Sequence, residues 1–264
     1  YKGGGFNSST LSVINSNDLI VNAFGVPTGD TLATATPNIA AGEKVFLTGE
    51  AVSSFDPETV RAYELGMKGS FLDQSLQVNF ASFFNDYQNL QVQNATASGI
   101  VTENAAEAET QGVEIDFVYA LSADLVLIGN YTYLDADFQG GTFVGNDIAG
   151  NNLPFAPEHA YSLSAAYEIP LGNDAVSIFT AYNWMDEFSN RTDNAAHLVQ
   201  EDYGLWNAKV TYRPASESWN VALSVDNIED KGYATSLQDY GMGVGAAVFR
   251  GMPRLWKLSV NVDF

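Results

Sequence analysis

One rhythm constrains this chain more than any other feature: large apolar residues return at every second position, in segment after segment. The last segment, RLWKLSVNVDF, sets Trp256, Leu258, Val260, Val262 and Phe264 against Lys257, Ser259, Asn261 and Asp263. Successive side chains of a strand point to opposite faces, so this segment has one apolar and one polar face. The same alternation runs through 61–71, 75–84, 112–121, 124–138, 160–169, 175–184, 205–213 and 218–227. A soluble sandwich gives such strands, and so does a membrane barrel with lipid on one side and a polar interior on the other.

The connections separate these two folds. Short ones (72–74, 121–124, 170–174, 214–218) alternate with long ones (8–56, 94–106, 139–158, 187–202, 229–252). Outer-membrane barrels have short turns on the periplasmic side and long loops outside. A sandwich has no reason to keep that asymmetry. The polar faces carry Glu64, Lys68, Glu114, Asp116, Glu168, Lys209, Asp226, Lys257 and Asp263. A dry core would not hold so many ionised groups without pairing, whereas a wet or plugged lumen does. Tyr131, Tyr133, Tyr182, Trp184, Trp206, Trp219 and Trp256 fall near strand ends, where interfacial aromatics sit. Small residues (Gly66, Ser70, Ala81, Ala166, Ala208, Ala222, Ser259) are expected on the inward face, against a separate plug. The expected fold is all-β, a transmembrane antiparallel β-barrel with residues 1–264 as one unit.

Composition removes other classes. The formal charge is −21, so nucleic acid, which needs basic patches, is excluded as a partner. With no cysteine there is neither a disulfide nor a thiolate metal site. No apolar run reaches the ~20 residues of a spanning helix. The chain opens on Tyr1 rather than Met, and it is expected to be processed or part of something longer.

Several stretches, in this order, resemble the C-terminal half of the TonB-dependent outer-membrane receptor family. They are YKGGGFN (1–7), DPETVRAYELGMKGSFLDQSLQVNFASFFNDYQNLQV (56–92), AETQGVEIDF (108–117), NLPFAPEHAYSLSAAYEIPL (152–171), VDNIEDKGYA (225–234) and PRLWKLSVNVDF (253–264). The resemblance implies a 22-stranded barrel around an N-terminal plug, of which this chain is about the last ten strands, counting 1–7, with the plug and TonB box absent. It implies TonB-energised uptake of a scarce nutrient, an iron–siderophore complex first of all, across the outer membrane of a Gram-negative bacterium. It also implies partners: outer-membrane lipid and lipopolysaccharide, TonB through the missing N-terminal region, the barrel-assembly machinery and a small-molecule nutrient. Phe264 resembles the assembly machinery's terminal signal.

Ligand contacts are expected from lumen-facing positions near the top of the barrel and from the outer loops. Arg191, His197, Tyr240 and Arg250 are the candidates, because cations and aromatics grip anionic or planar ligands. No cofactor, metal site or catalytic residue is expected. The alternatives are a standalone ten-stranded barrel acting as a surface protease or adhesin, or an accessory barrel without transport. Asp135 and Asp137 form an Asp-x-Asp at a strand end, but the two histidines, His159 and His197, lie in no Asp-x-His sequence. FVGNDIAGNN (143–152) holds oxygen ligands without the spacing of a calcium loop.

Overall fold

The computed structural model describes residues 5–6, 19–21, 27–31, 46–47, 54–96, 99–143, 145–239 and 246–263. One sheet dominates it. Its long strands are β1 (Thr59–Phe71), β2 (Leu76–Thr96), β3 (Gly99–Ala120), β4 (Leu125–Phe143), β5 (His159–Leu171), β6 (Asp174–Met185), β7 (Tyr203–Arg213), β8 (Trp219–Asp226) and β9 (Leu255–Val262). Each bonds to its neighbour in sequence, from β9 through to β1, and the short strand Asn146–Asp147 adds to β4. Every ladder from β4 to β9 is antiparallel. The strand expected over 1–7 contributes Gly5–Phe6, which pairs with Ser54–Phe55 rather than with the main sheet.

The chain packs as two compact units. One takes Tyr1–Val60, Tyr87–Glu107 and Gly140–Asp147. Within it Asn104 donates to the carbonyls of Asp56 and Asn89, at 2.9 and 2.8 Å. Leu19–Val21 pairs with both Pro27–Thr31 and Phe46–Leu47, a small hairpin inside the long first connection. The other unit takes Arg61–Asp86, Ala108–Gln139 and Ile148–Phe264.

Strands also fill part of what the sequence marks as loop. β2 and β3 carry ladder through most of 94–106, as strands of 21 and 22 residues. The stretch NATASG…TENAAEAE has lost its apolar rhythm, yet ladder bonds are made by the backbone and continue without it. Short turns match the expectation. Leu171 pairs with Asp174, leaving a two-residue loop that begins with Gly172 at φ +67°, a value a hairpin of this length favours and glycine adopts without strain. Asp174 then joins this turn to the next. Its carboxylate accepts from Tyr212 Oη at 2.6 Å and from the Ala215 N–H at 2.8 Å.

Register fixes the two faces. Tyr161 lies opposite both Tyr131 and Trp184, Tyr182 opposite Trp206, Val210 opposite Leu223, and Leu223 opposite Leu258. The apolar face is therefore continuous across β4–β9, and it is uncovered: Leu163, Val210, Leu223, Leu258 and Val260 are all exposed. Its aromatics collect toward the two ends. Tyr161 packs against Tyr182 and Trp184 near the long connections, and Tyr212 against Trp219 near the short turns. The six steps from Tyr161 to Tyr167 span about 20 Å of strand, close to the height of a barrel's apolar band. Trp206 Nε1 donates to Thr180 Oγ1 at 2.6 Å, so its one polar atom is satisfied on that face.

Several polar-face groups are paired. Arg213 meets Glu168 at 2.6 Å and Lys257 meets Asp226 at 2.5 Å, while Asn79 donates to Asp116 at 2.6 Å. One expectation fails here. Ala208 lies opposite Thr180 and Val225, on the apolar face with Trp206 and Val210, because it shares their parity along β7. Among the described residues the largest fully buried side chains, Ile148 and Leu198, sit in long connections rather than in the wall.

Candidate ligand-binding site in the long connections

Three long connections, 148–158, 186–202 and 227–254, are fastened to one another. Small ladders stiffen two of them: Phe188–Ser189 pairs with Val199–Gln200, and Ala234–Asp239 with Ala246–Arg250. Asn194 exchanges bonds with the backbone of Asn152, donating at 2.9 Å and accepting at 2.8 Å. The Ser189 carbonyl accepts from the Phe155 N–H at 2.8 Å. Asn190 Oδ1 accepts from the Leu237 N–H, and Gln200 Oε1 from the Ala234 N–H, both at 3.0 Å.

Arg191 adds charge to this clasp. Its Nε and Nη2 grip Asp193 at 2.7 and 2.6 Å, and its Nη1 reaches Asp239 at 3.2 Å. The Asp193 carboxyl is held below its ordinary range by that guanidinium, and Arg191 is pushed up by the same bond. His197 lies on the short 3₁₀ turn Ala196–Leu198, with Nε2 3.4 Å from the same Asp239 oxygen. The sequence-predicted Arg191 and His197 thus share one carboxylate.

Beside them lies a cavity of about 760 Å³, with His197, Gln200, Glu201, Lys231, Tyr233 and Arg250 in its wall. Tyr233 is held firmly. Its ring stacks on Tyr203 at 4.7 Å, and Gly251 passes so close that a Cβ there would meet the ring at 1.9 Å. Asn227, which is buried, fastens the backbone of Lys231 behind this wall. Its Nδ2 donates to the carbonyls of Lys231 and Met252 at 3.0 and 3.1 Å, and its Oδ1 accepts from the Lys231 N–H at 2.9 Å. Asp230 Oδ1 accepts from the Arg254 N–H at 2.8 Å. The VDNIEDKGY and PR segments are therefore two halves of one structural clasp. Three cationic or cationisable groups, an aromatic and two acids, Glu201 and Asp230, around one hollow can bind a polar, anionic, partly planar molecule.

Arg250 and His197 line this cavity, Arg191 braces it, and Tyr240 lies outside the described residues, as does Phe264. Sequence reasoning missed Lys231, Tyr233 and Glu201; the Lys-Gly-Tyr of the penultimate motif was the available signal. Asp135 accepts from Gln111 at 2.9 Å and Asp137 from Gln139 at 3.1 Å. The carboxylates within ion-pair range of the histidines are others: Glu158 for His159 and Asp239 for His197. Among the described residues, the Asp-x-Asp thus forms no Asp–His pair. Glu158, His159 and Asp186 form the described group able to hold a metal ion.

Residues 14–228 match the family described as TonB dependent receptor-like, beta-barrel. The catecholate siderophore receptor Fiu of Escherichia coli K12 is 26% identical over 214 residues, covering 80% of this chain and 27% of that protein. The metal-pseudopaline receptor CntO of Pseudomonas aeruginosa is 29% identical over 187 residues, covering 70% of this chain and 26% of that protein. Among solved structures, the ferric yersiniabactin uptake receptor FyuA of Yersinia pestis superposes with a TM-score of 0.69 at 23% identity, covering 82% of this chain and 32% of that one. The chain spans about a quarter of the length of the curated relatives it matches.

Proposed function

We propose, from the premise that this chain belongs to the TonB dependent receptor-like β-barrel family, that it is the C-terminal part of an outer-membrane receptor that imports a metal chelate of the iron–siderophore class. Family membership and the names of relatives, receptors for catecholate siderophores and metal–pseudopaline, support the class. The observation that carries the reading in this molecule is the cavity in the long connections, lined by Lys231, Arg250, Tyr233 and His197. A ferric siderophore complex is bulky and commonly anionic, with planar chelating groups. Cations balance its charge and an aromatic ring stacks on its planes.

In this reading the apolar face meets lipid and lipopolysaccharide, the long connections face outward, and the short turns face the periplasm. Binding precedes a TonB-driven rearrangement of a plug, without covalent chemistry. Phe264 serves as the assembly signal, so deleting it lowers the amount of assembled barrel without lowering synthesis.

Binding to the purified full-length receptor tests the cavity. A ferric siderophore panel titrated against tryptophan fluorescence should yield at least one saturable ligand. Lys231→Ala and Arg250→Ala should each weaken that ligand about tenfold, as loss of a charge-assisted contact does. Unchanged affinity in both variants would move the binding site elsewhere.

A further inference from the structure

The long-connection end of β5 and β6 carries a second constellation, apart from the cavity. His159 opens β5 and Asp186 follows the last residue of β6, and the Asp186 N–H donates to the His159 carbonyl at 2.8 Å. Glu158 precedes His159. One ligand atom from each of the three lies within 4.8 Å of the other two. His159 shares the apolar face with Tyr131, Tyr133 and Tyr161, since it lies opposite Tyr133 in the ladder. The group therefore sits on the outer surface of the wall, not on the polar face.

Its donor atoms are oriented yet unspent. Tyr131 Oη lies 2.9 Å from His159 Nδ1, and the two rings stack with 6.1 Å between centroids. That bond turns Nε2 toward Glu158, whose Oε1 is 3.7 Å away. This separation is too long for a hydrogen bond. It is a separation that two metal–ligand bonds of about 2.0–2.2 Å span from a shared ion. Asp186 Oδ1 accepts from the Glu187 N–H at 2.9 Å, which fixes its carboxylate and leaves Oδ2. When Nδ1–H donates to Tyr131 Oη, the neutral imidazole presents a lone pair at Nε2, the arrangement that metal-ligating histidines adopt.

We propose that Glu158, His159 and Asp186 form a divalent metal site on the outer rim of the wall, with Tyr131 as its positioning residue. One imidazole nitrogen and two carboxylates suit a borderline ion of the Zn²⁺ type, while Ca²⁺ and Mg²⁺ favour all-oxygen sets. Three protein ligands leave a position of a tetrahedral ion open to water or to an anion from outside. The site is independent of the nutrient cargo: it takes the bare ion and lies apart from the cavity.

The test uses full-length protein in detergent and Zn²⁺ alone. Calorimetry gives the binding, and diethyl pyrocarbonate modification read by peptide mass spectrometry follows His159, with His197 as internal control. Zn²⁺ should bind and shield His159 while His197 reacts at an unchanged rate. Glu158→Gln should weaken binding at least tenfold, and Tyr131→Phe, which keeps every ligand, on the order of tenfold. His159→Ala should abolish it. Should that variant fail to fold, shielding in the unaltered protein and the milder Glu158→Gln still decide. Equal modification of His159 with and without Zn²⁺, or unchanged binding in Glu158→Gln, overturns the site. Displacement of Zn²⁺ by equimolar Ca²⁺ overturns the assigned class of ion.

Discussion

Arg191 donates to Asp239 across 48 residues of sequence, at 3.2 Å, and so ties the connection after β6 to the connection after β8. The same guanidinium grips Asp193 with two bonds, which sets its plane before it reaches Asp239. Arg191 therefore braces the cavity wall that His197 and Arg250 line.

Removing that brace should loosen both connections together. Arg191→Ala should speed amide exchange at the Leu237 N–H, bonded to Asn190, and across 186–202 by about tenfold, near 1.4 kcal/mol. The Arg191–Asp239 contact is partly solvated, so a double-mutant cycle with Asp239→Asn should show a coupling of about 0.5–1 kcal/mol. Exchange confined to one connection would contradict the brace.

Acid should break the clasp late. The Asp193 carboxyl lies below its ordinary value because Arg191 hydrogen-bonds it. A depressed folded pKa gives stability that is fully present above the unfolded value, about 3.9, and is lost as pH falls through the folded one. Protease sensitivity of 186–202 should stay constant from neutral pH to about pH 4 and rise below that. In Asp193→Asn it should be raised throughout and show less of this acid dependence. A rise in the unaltered protein between pH 7 and 5 would count against the assignment.

Faces are tested by charge insertion. Leu258→Arg and Val260→Arg should each destabilise the assembled wall by roughly 2–4 kcal/mol near the midplane, since both lie on the exposed apolar face. Asn261→Arg, on the face where Asn261 donates to Asn220 at 2.8 Å, should cost far less. Denaturant unfolding of protein refolded in lipid vesicles reads the difference. Equal losses would refute the register.

Gly251→Ala should damage the cavity and spare the wall. Its Cβ would strike the Tyr233 ring, which must then leave its stack on Tyr203. Ligand affinity should fall about tenfold or more, while the heat-modifiable barrel band persists. Wild-type affinity would show that Tyr233 plays no part in the cavity.

The wall was legible in the sequence because one apolar and one polar face impose alternation residue by residue. Trp256, Leu258 and Val260 announce β9 without help. The long connections were not legible in that way. Their order comes from single side chains, such as Asn227 and Asn194, bonding to distant backbone, and a lone asparagine carries no period. Alternation also failed to mark the ends of β2 and β3 next to their long connection, where pairing continues after the apolar rhythm has stopped. Ala208 was misplaced by reading its size rather than its parity. Arg191 and His197 were found as residue types suited to anions; their shared Asp239 was beyond any spacing rule.

Energised uptake is tested most directly in cells. Cells lacking the gene for the full-length receptor, and cells carrying it, would be given ⁵⁵Fe loaded onto the siderophore that the purified protein binds, with and without a functional TonB. Saturable accumulation should require both the receptor and TonB, and should drop in Lys231→Ala and Arg250→Ala cells that still display the barrel. Accumulation that is equal without the receptor, or undiminished without TonB, would contradict the account.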